Sequence, residues 1–136
     1  MSDEFREIVP DKSKAKGFVL RAEKDMKIIL EMSKINGSTN LIIRDIYECF
    51  RMLGEALLIL RGIKSEGHVL PINELIKFSE TEGHNLRMLD SLRRLRHNIN
   101  YYAYSATQSE GEEVLRIANK YFNILADKIL EKIKES

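Results

Sequence analysis

The stretch that decides the fold lies at residues 39–60, which read TNLIIRDIYECFRMLGEALLIL. Its apolar residues recur at spacings of three and four, which is the repeat of one face of an α-helix. They are Ile43, Ile46, Tyr47, Phe50, Leu53, Leu57 and Leu60. Thr39 or Asn40 can cap the start of this helix, and Gly62 can end it. The pattern therefore predicts a long helix with one continuous apolar face.

A glycine, Gly54, lies among these apolar positions. Glycine inside a helix costs about 1 kcal/mol relative to alanine, but its missing side chain lets a neighbouring helix approach closely. Two interpretations remain open. Gly54 marks a close helix contact, or it is a tolerated residue with no role in packing.

The segment before this helix also has helical spacing. Asp11 or Ser13 can cap a helix that follows Pro10, and the turn at residues 36–38, Asn-Gly-Ser, ends it. Its predicted apolar residues are Phe18, Ala22, Met26, Ile29, Leu30 and Ile35. Because the turn is short, the first two helices are expected to form an antiparallel hairpin.

Two further long helices are predicted in the second half of the chain, separated by a polar segment at residues 105–111. The earlier one runs from about Asn85 to about Tyr102, with Leu89, Leu92, Leu95, Ile99 and Tyr102 expected to face the core. The last one carries Val114, Leu115, Ala118, Phe122, Leu125, Ile129 and Ile133. Residues 64–83 contain several helix breakers and one brief apolar pattern, so we predict a connection with a short helix there.

The composition agrees with a single helical domain. The chain has 136 residues, of which 43% are hydrophobic and 32% charged, and this balance excludes a disordered chain. We predict an all-α fold, an up-and-down bundle of four long helices plus a short helix in the connection at residues 64–83. The domain is placed at residues 11–134, after an N-terminal tail at residues 1–10.

Charge and cysteine content exclude several functional classes. A formal net charge of +1 does not indicate a globally basic nucleic-acid binder. The one cysteine, Cys49, excludes an intramolecular disulfide and fits a reducing compartment, so the cytoplasm is expected. His68, His84 and His97 lack metal-ligand spacing with Cys49, and we expect no metal or other cofactor. No apolar run approaches the ~20 residues that span a bilayer, so no membrane contact is expected.

The third long helix carries the residues that indicate chemistry. Residues 92–102 read LRRLRHNINYY. At about 100° per residue, Arg93, Arg96, His97 and Asn100 fall on one strip at the border of the apolar stripe. Guanidinium groups bind phosphate through paired hydrogen bonds and stay charged when partly desolvated. An anionic partner is therefore indicated.

An interpretation without a ligand stays open for the same residues. Arginines at a core border often cover apolar surface or pair with carboxylates, here Asp45 or Glu48 of the second helix. His97 alone is typical of a surface residue that forms hydrogen bonds. The three tyrosines that follow either stack on bases or are packing and interface groups. They are Tyr101, Tyr102 and Tyr104.

Two stretches together resemble the HEPN superfamily (higher eukaryotes and prokaryotes nucleotide-binding). One is the second-helix pattern at residues 46–58, which leads into residues 60–68, and the other is Arg96-His97-Asn98-Ile99-Asn100-Tyr101. The resemblance spans roughly residues 14–130. It implies a helical domain that handles RNA or nucleotides.

The resemblance is incomplete at the position that matters for catalysis. Active HEPN ribonucleases carry an Arg, usually followed by a polar Asn, Asp or His, and a terminal His that is separated from the Arg by four to six residues. Arg96 matches the Arg and His97 matches the polar residue. The positions allowed for the terminal His hold Tyr101, Tyr102 and Ala103, and no His follows His97.

This departure predicts a loss of catalysis rather than of binding. Metal-independent RNA cleavage needs a group that titrates near neutrality, whereas tyrosine, with a pKa of about 10, is a poor general base there. Losing the His forfeits an acid–base contribution of about 10²–10⁴-fold but leaves the phosphate affinity of Arg96. We therefore expect binding without the usual ribonuclease activity. The alternatives are an active metal-independent endoribonuclease using Arg96 and His97, and a purely structural or protein-interaction bundle.

The resemblance also implies partners. HEPN proteins commonly dimerise through the late helix, which here implies a homodimer with a nucleotide- or RNA-binding cleft. The expected lining residues are Arg93, Arg96, His97, Asn100 and Tyr101. Small prokaryotic members are often encoded beside a minimal nucleotidyltransferase as a toxin–antitoxin pair, so such an enzyme is a candidate partner. Leu41, Ile42 and Leu58 either contribute to the dimer interface or belong to a broad core.

Overall fold

The computed structural model describes residues 4–136, of which most are helical. Within residues 4–136, five helices and two short strands follow one another. They are β1 (Phe5–Glu7), α1 (Lys12–Met32), α2 (Thr39–Leu60), β2 (Ile63–Ser65), α3 (Val69–Thr81), α4 (Met88–Tyr101) and α5 (Gln108–Glu135). The all-α class is therefore confirmed, and the helix expected in the 64–83 connection is α3.

Helix α2 is the centre of the core. It packs against α1, α3, α4 and α5 as well as against β2. Every residue from Met52 to Ile59 is buried, so α2 is covered on all sides over its second half. A helix buried all round is expected to be apolar all round, and the sequence of this half meets that expectation except at Glu55. Ile42 and Leu58 belong to this core, whereas Leu41 is exposed.

Of the two interpretations of Gly54, the structure confirms the one in which the glycine marks a close contact between helices. A Cβ atom added at Gly54 would lie 2.0 Å from the carbonyl oxygen of Pro71, in the first turn of α3. No side chain fits at that distance. The glycine therefore allows the backbones of α2 and α3 to touch.

The strands were not predicted from the sequence. β1 pairs antiparallel with β2, with Phe5 opposite Ser65 and Glu7 opposite Ile63. Three residues are too few to show the apolar–polar alternation that identifies a strand. Residues 1–3 of the predicted N-terminal tail lie outside the described residues.

Four expectations about helix ends were wrong. Ile35 lies beyond the end of α1 and is 63% exposed, and Tyr102 lies beyond α4 and is 72% exposed, so neither faces the core. The first residue of α4 is Met88 rather than Asn85. Neither Thr39 nor Asn40 caps α2. The N-cap position is Ser38, and the side-chain oxygen of Asn40 accepts a hydrogen bond from the backbone N–H of Ala106 at 2.9 Å.

Candidate functional site

Helix α4 places the predicted strip at the edge of the core. Leu89 and Leu92 are buried, as their apolar spacing predicts. Arg93 and Arg96 are half-buried beside them, whereas His97, Asn100 and Tyr101 are exposed. The strip therefore runs from the border of the core out to the solvent as α4 proceeds towards its C-terminus.

Two arginines of α4 share one carboxylate. The Nε and Nη2 atoms of Arg93 lie 3.2 and 3.1 Å from Oδ1 of Asp90, and Nη2 of Arg94 lies 3.6 Å from Oδ2. The pairing therefore forms within α4, at spacings of three and four residues. The interpretation that a core-border arginine pairs with a carboxylate is therefore confirmed for Arg93, but its partner is Asp90 of α4. The named partners in α2 were wrong, since Glu48 binds Arg51 and Asp45 forms no ion pair within the described residues.

Arg96 has a different environment. The central carbon of its guanidinium lies 5.3 Å from the centre of the Tyr47 ring, which is the distance of a cation–π contact. No carboxylate of residues 4–136 lies within ion-pair distance of Arg96. Its charge is therefore held in place by an uncharged ring and is left without a neutralising partner within the described chain.

Tyr47 supplies that ring from the core side. Its side chain is fully buried, and its hydroxyl has no hydrogen-bond partner in the part of the chain that the structure describes. Burial raises the pKa of Tyr47 to about 12, although the charges of Arg96 and Arg51 oppose this shift. The hydroxyl therefore stays protonated and uncharged near neutral pH. The ring centre of His68, the residue that precedes α3, lies 5.9 Å from that of Tyr47.

His97 faces other aromatic groups. Its ring centre lies 4.7 Å from that of Tyr101 and 5.7 Å from that of Tyr102. Arg96 contacts Tyr47 instead, so the two adjacent side chains point to different neighbours. Adjacent residues of a helix diverge by about 100°, and the observed contacts agree with that geometry.

The turn after α4 fixes the positions of the tyrosines. Ala103 has a φ of +52°, in the left-handed region that non-glycine residues seldom adopt. This turn lets the backbone N–H groups of Tyr102 and Tyr104 both donate to the carbonyl of Asn98, at 3.0 and 3.2 Å. The Tyr104 hydroxyl donates to Oε1 of Glu110 at 2.8 Å. The chain is thereby tied at both sides of the turn.

A second ionic cluster lies on α2 and was not predicted from the sequence. Nη2 of Arg51 lies 2.6 Å from Oε1 of Glu48, and Nη1 lies 3.1 Å from Oε2 of Glu55. Glu55 is only 7% exposed, and its burial raises the pKa of its carboxyl group. The spacing of three and four residues between these side chains was the available signal. Two carboxylates neutralise Arg51, which makes it a poor candidate for binding phosphate.

The predicted site does not coincide with the cavity that lies at the α1–α2 turn. That cavity, of about 500 Å³, lies between this turn and the start of α5, and its lining includes Lys34, Gly37 and Gln108. None of the predicted site residues lines it. The α4 strip therefore lies on an open face of the chain and not in this cavity.

The described residues contain no group of three or more His, Cys, Asp or Glu side chains that could hold a metal ion. Within the same residues, 4–136, no helix is long and apolar enough to cross a membrane.

Comparison with known proteins places this geometry in a family. A family model described as HEPN domain matches residues 15–130, which is most of the chain. Comparisons with curated proteins and with solved structures found no match. The matched range includes all of α2 to α4 and hence Tyr47, Arg93, Arg96 and His97. The chain belongs to the HEPN domain family.

Proposed function

We propose that this HEPN domain, an up-and-down bundle over residues 11–134, binds the phosphates of RNA or nucleotides. Arg93, Arg96, His97, Asn100 and Tyr101 line the site. Membership of the HEPN family suggests a function related to RNA or nucleotides. The single observation that carries the proposal is Arg96, whose guanidinium is held on the Tyr47 ring without a carboxylate partner in residues 4–136.

A bound phosphate would supply the missing negative charge. A half-buried cation is costly to leave unpaired, and charge-assisted hydrogen bonds to phosphate are among the strong ones. Arg93 is less available, because a phosphate has to compete with Asp90 for its guanidinium. We therefore assign Arg96 the main role in phosphate binding and Arg93 a supporting role.

We also propose that two copies of the chain pair so that their α4 helices face each other across a cleft. Support comes from the open position of the strip, since an exposed His97 and Asn100 on one copy do not enclose a ligand. Two facing strips would double the number of guanidinium groups and enclose the ligand between them. Sedimentation of the purified chain tests this pairing, and a monomer at micromolar concentration would refute it.

The usual ribonuclease activity is absent in this proposal. Arg96 contacts Tyr47 whereas His97 contacts Tyr101 and Tyr102, so one copy does not bring both side chains to one phosphate. The alternative is a metal-independent endoribonuclease in which Arg96 and His97 act together. Cleavage of RNA in the presence of a chelator, abolished by Arg96→Ala, would establish that alternative.

A minimal nucleotidyltransferase, in a toxin–antitoxin-like pair, is the partner that we propose for this domain. The support is family membership alone, and co-purification with the neighbouring gene product tests it. A purely structural or protein-interaction bundle is the remaining alternative. Binding of RNA would exclude this alternative, and absence of RNA binding would favour it.

The test of the central proposal is filter binding of labelled RNA at two salt concentrations. Phosphate contacts must weaken as salt rises. Arg96→Ala is expected to lower affinity by about tenfold and to reduce the salt dependence by about one unit of slope. Arg94→Ala is the matched control, because it removes the same charge from α4 at an exposed position outside the strip. Equal effects of the two substitutions would contradict a specific role for Arg96.

A further inference from the structure

The end of α4 presents a cluster of aromatic rings to the solvent. His97, Tyr101 and Tyr102 form this ring cluster, with ring centres 4.7 and 5.7 Å from that of His97. Tyr101 is 66% exposed and Tyr102 is 72% exposed. Large aromatic side chains usually bury most of their surface, because exposing their large apolar area to water is unfavourable. Two tyrosines with open faces therefore require a reason.

The backbone that carries the ring cluster is held in place without a ligand. Tyr101 is the last residue of α4, and the left-handed turn at Ala103 directs the chain back so that Asn98 accepts two backbone hydrogen bonds. A left-handed alanine costs about 1 kcal/mol, which the fold offsets elsewhere. A backbone that is already ordered loses little entropy on binding a ligand. The segment that presents the rings is thus prepared for contact with a flat partner.

The surroundings of the ring cluster indicate which flat partner fits. Arg96 is adjacent to His97 in the chain and carries a charge without a carboxylate partner in the described residues. One turn further along α4 lies the polar residue Asn100, on the same face as Arg96. The core of a protein–protein interface is apolar and poor in charge, whereas single-stranded nucleic acids bind to cationic surfaces with exposed aromatic rings.

We propose that the ring cluster is a stacking platform for unpaired RNA bases, so that the site selects single-stranded over duplex RNA. This inference rests on the proposed function and specifies its ligand. Arg96 holds a phosphate, and the base attached to the neighbouring sugar stacks on the face of Tyr101 or Tyr102. In duplex RNA both faces of each internal base are covered by its neighbours, and the major groove is too narrow for side chains. A duplex therefore offers the platform only the outer faces of its two terminal base pairs.

The experiment compares three RNAs with equal numbers of phosphates. They are a short oligouridine, the same ribose-phosphate chain without bases, and a blunt duplex. Fluorescence anisotropy measures the dissociation constant of each. We expect oligouridine to bind about tenfold or more tightly than the chain without bases, which is the range for stacking one base on an aromatic ring. Equal affinities for these two RNAs would refute the platform.

Variants locate the effect on the rings. The double variant Tyr101→Ala and Tyr102→Ala is expected to bind oligouridine only as tightly as the chain without bases, whereas the double Phe variant retains the difference. Phe5→Ala removes an exposed ring of β1 and serves as the control. If the double Ala variant instead changes the oligomeric state but not the affinity for oligouridine, the rings belong to a protein interface and the platform is refuted.

The outcomes also separate this inference from the proposed function. If all three RNAs bind equally and Arg96→Ala weakens each of them, the platform fails and phosphate binding stands. If none of the three RNAs binds to the wild-type chain, the proposed function fails and the platform fails with it.

Discussion

The guanidinium of Arg96 lies over the ring of Tyr47 at 5.3 Å, with the arginine on the exposed side of the contact and the tyrosine in the core. The ring stabilises the cation without neutralising it. In the proposed function, Tyr47 would therefore be a positioning residue, since the contact keeps the charge of Arg96 in place for an anion. The contact also joins α2 to α4 at the site.

Substitutions of Tyr47 separate its ring from its hydroxyl. Tyr47→Phe removes a buried hydroxyl that has no partner among residues 4–136, so the free energy of unfolding is expected to rise by about 1 kcal/mol. RNA affinity stays the same because the ring remains. Tyr47→Leu leaves a cavity and removes the cation–π contact, so the free energy of unfolding falls by about 2 kcal/mol and RNA affinity falls too. Urea unfolding and filter binding measure both effects; a Phe variant less stable than wild type would contradict this account.

Two helical glycines are predicted to respond in opposite directions to the same substitution. Gly54→Ala places a methyl group against the carbonyl of Pro71, so α3 must shift, and a loss of about 1–3 kcal/mol is expected. A Cβ at Gly17 in α1 meets nothing within 4 Å. Gly17→Ala is therefore expected to stabilise the chain by about 0.5–1 kcal/mol. Thermal or urea unfolding of both variants gives the comparison, and a neutral Gly54→Ala would disprove the close contact.

The left-handed turn after α4 predicts a stabilising substitution. Glycine adopts positive φ without steric cost, so Ala103→Gly is expected to raise the free energy of unfolding by up to about 1 kcal/mol. Ala103→Val is the opposite control, because a branched side chain is least tolerated there. Circular dichroism melting curves measure both. A glycine variant that melts below wild type would mean that this turn is not strained.

The start of α5 predicts a dependence of stability on pH. Thr107 and Glu110 form a capping box, and the hydrogen bond from the Thr107 backbone N–H holds the pKa of the Glu110 carboxyl below its usual range. A lowered pKa in the folded state contributes stability above the usual pKa of about 4.3, and this contribution disappears as the pH falls through the folded pKa.

The measurement is the stability difference between wild type and Glu110→Gln. We expect a difference at pH 7 that shrinks towards pH 3, because protonation gives the wild-type carboxyl the charge of the variant. Glu112→Gln removes the same charge two residues further along α5, where no capping box forms, and serves as the control. A difference that does not change with pH would exclude the ionised cap as its cause.

Because the terminal His of the ribonuclease pattern is absent, adding a His at its position is predicted to increase RNA cleavage. Tyr101→His puts an imidazole at the first position allowed by the pattern of active HEPN ribonucleases. Cleavage of RNA without metal is expected to increase by about 10²-fold over wild type, because a group that titrates near neutrality supplies the proton transfer. Tyr104→His adds the same group outside the allowed positions and is expected to have no effect. Equal activity of all three proteins would show that more than the imidazole is lacking.

The helices were predictable because their signal is long and repeated. In α2, every predicted apolar residue from Ile43 to Leu57 is buried, and only the terminal Leu60 is half-buried. In α4 the same spacing located the strip correctly between Leu92 and Asn100. A pattern that repeats over several turns averages out single exceptions, which explains this agreement.

The contacts of the site were not predictable in the same way. Whether Arg93 pairs with Asp90 or with α2, and whether Arg96 meets a carboxylate or a ring, depends on side-chain conformations that spacing does not determine. Tyr102 was expected in the core because the helix was expected to continue through it. A left-handed Ala103 ends the hydrogen-bond pattern one residue earlier, and no propensity of alanine indicates such a turn.

The shared carboxylate of Asp90 has a consequence for how long a ligand stays bound. Because Asp90 holds the guanidinium of Arg93, it would compete with a phosphate for this residue of the proposed site. Affinity would thereby be reduced, and the guanidinium of Arg93 would return to Asp90 as soon as the phosphate left. An internal competitor of this kind would favour rapid turnover of ligands over tight capture.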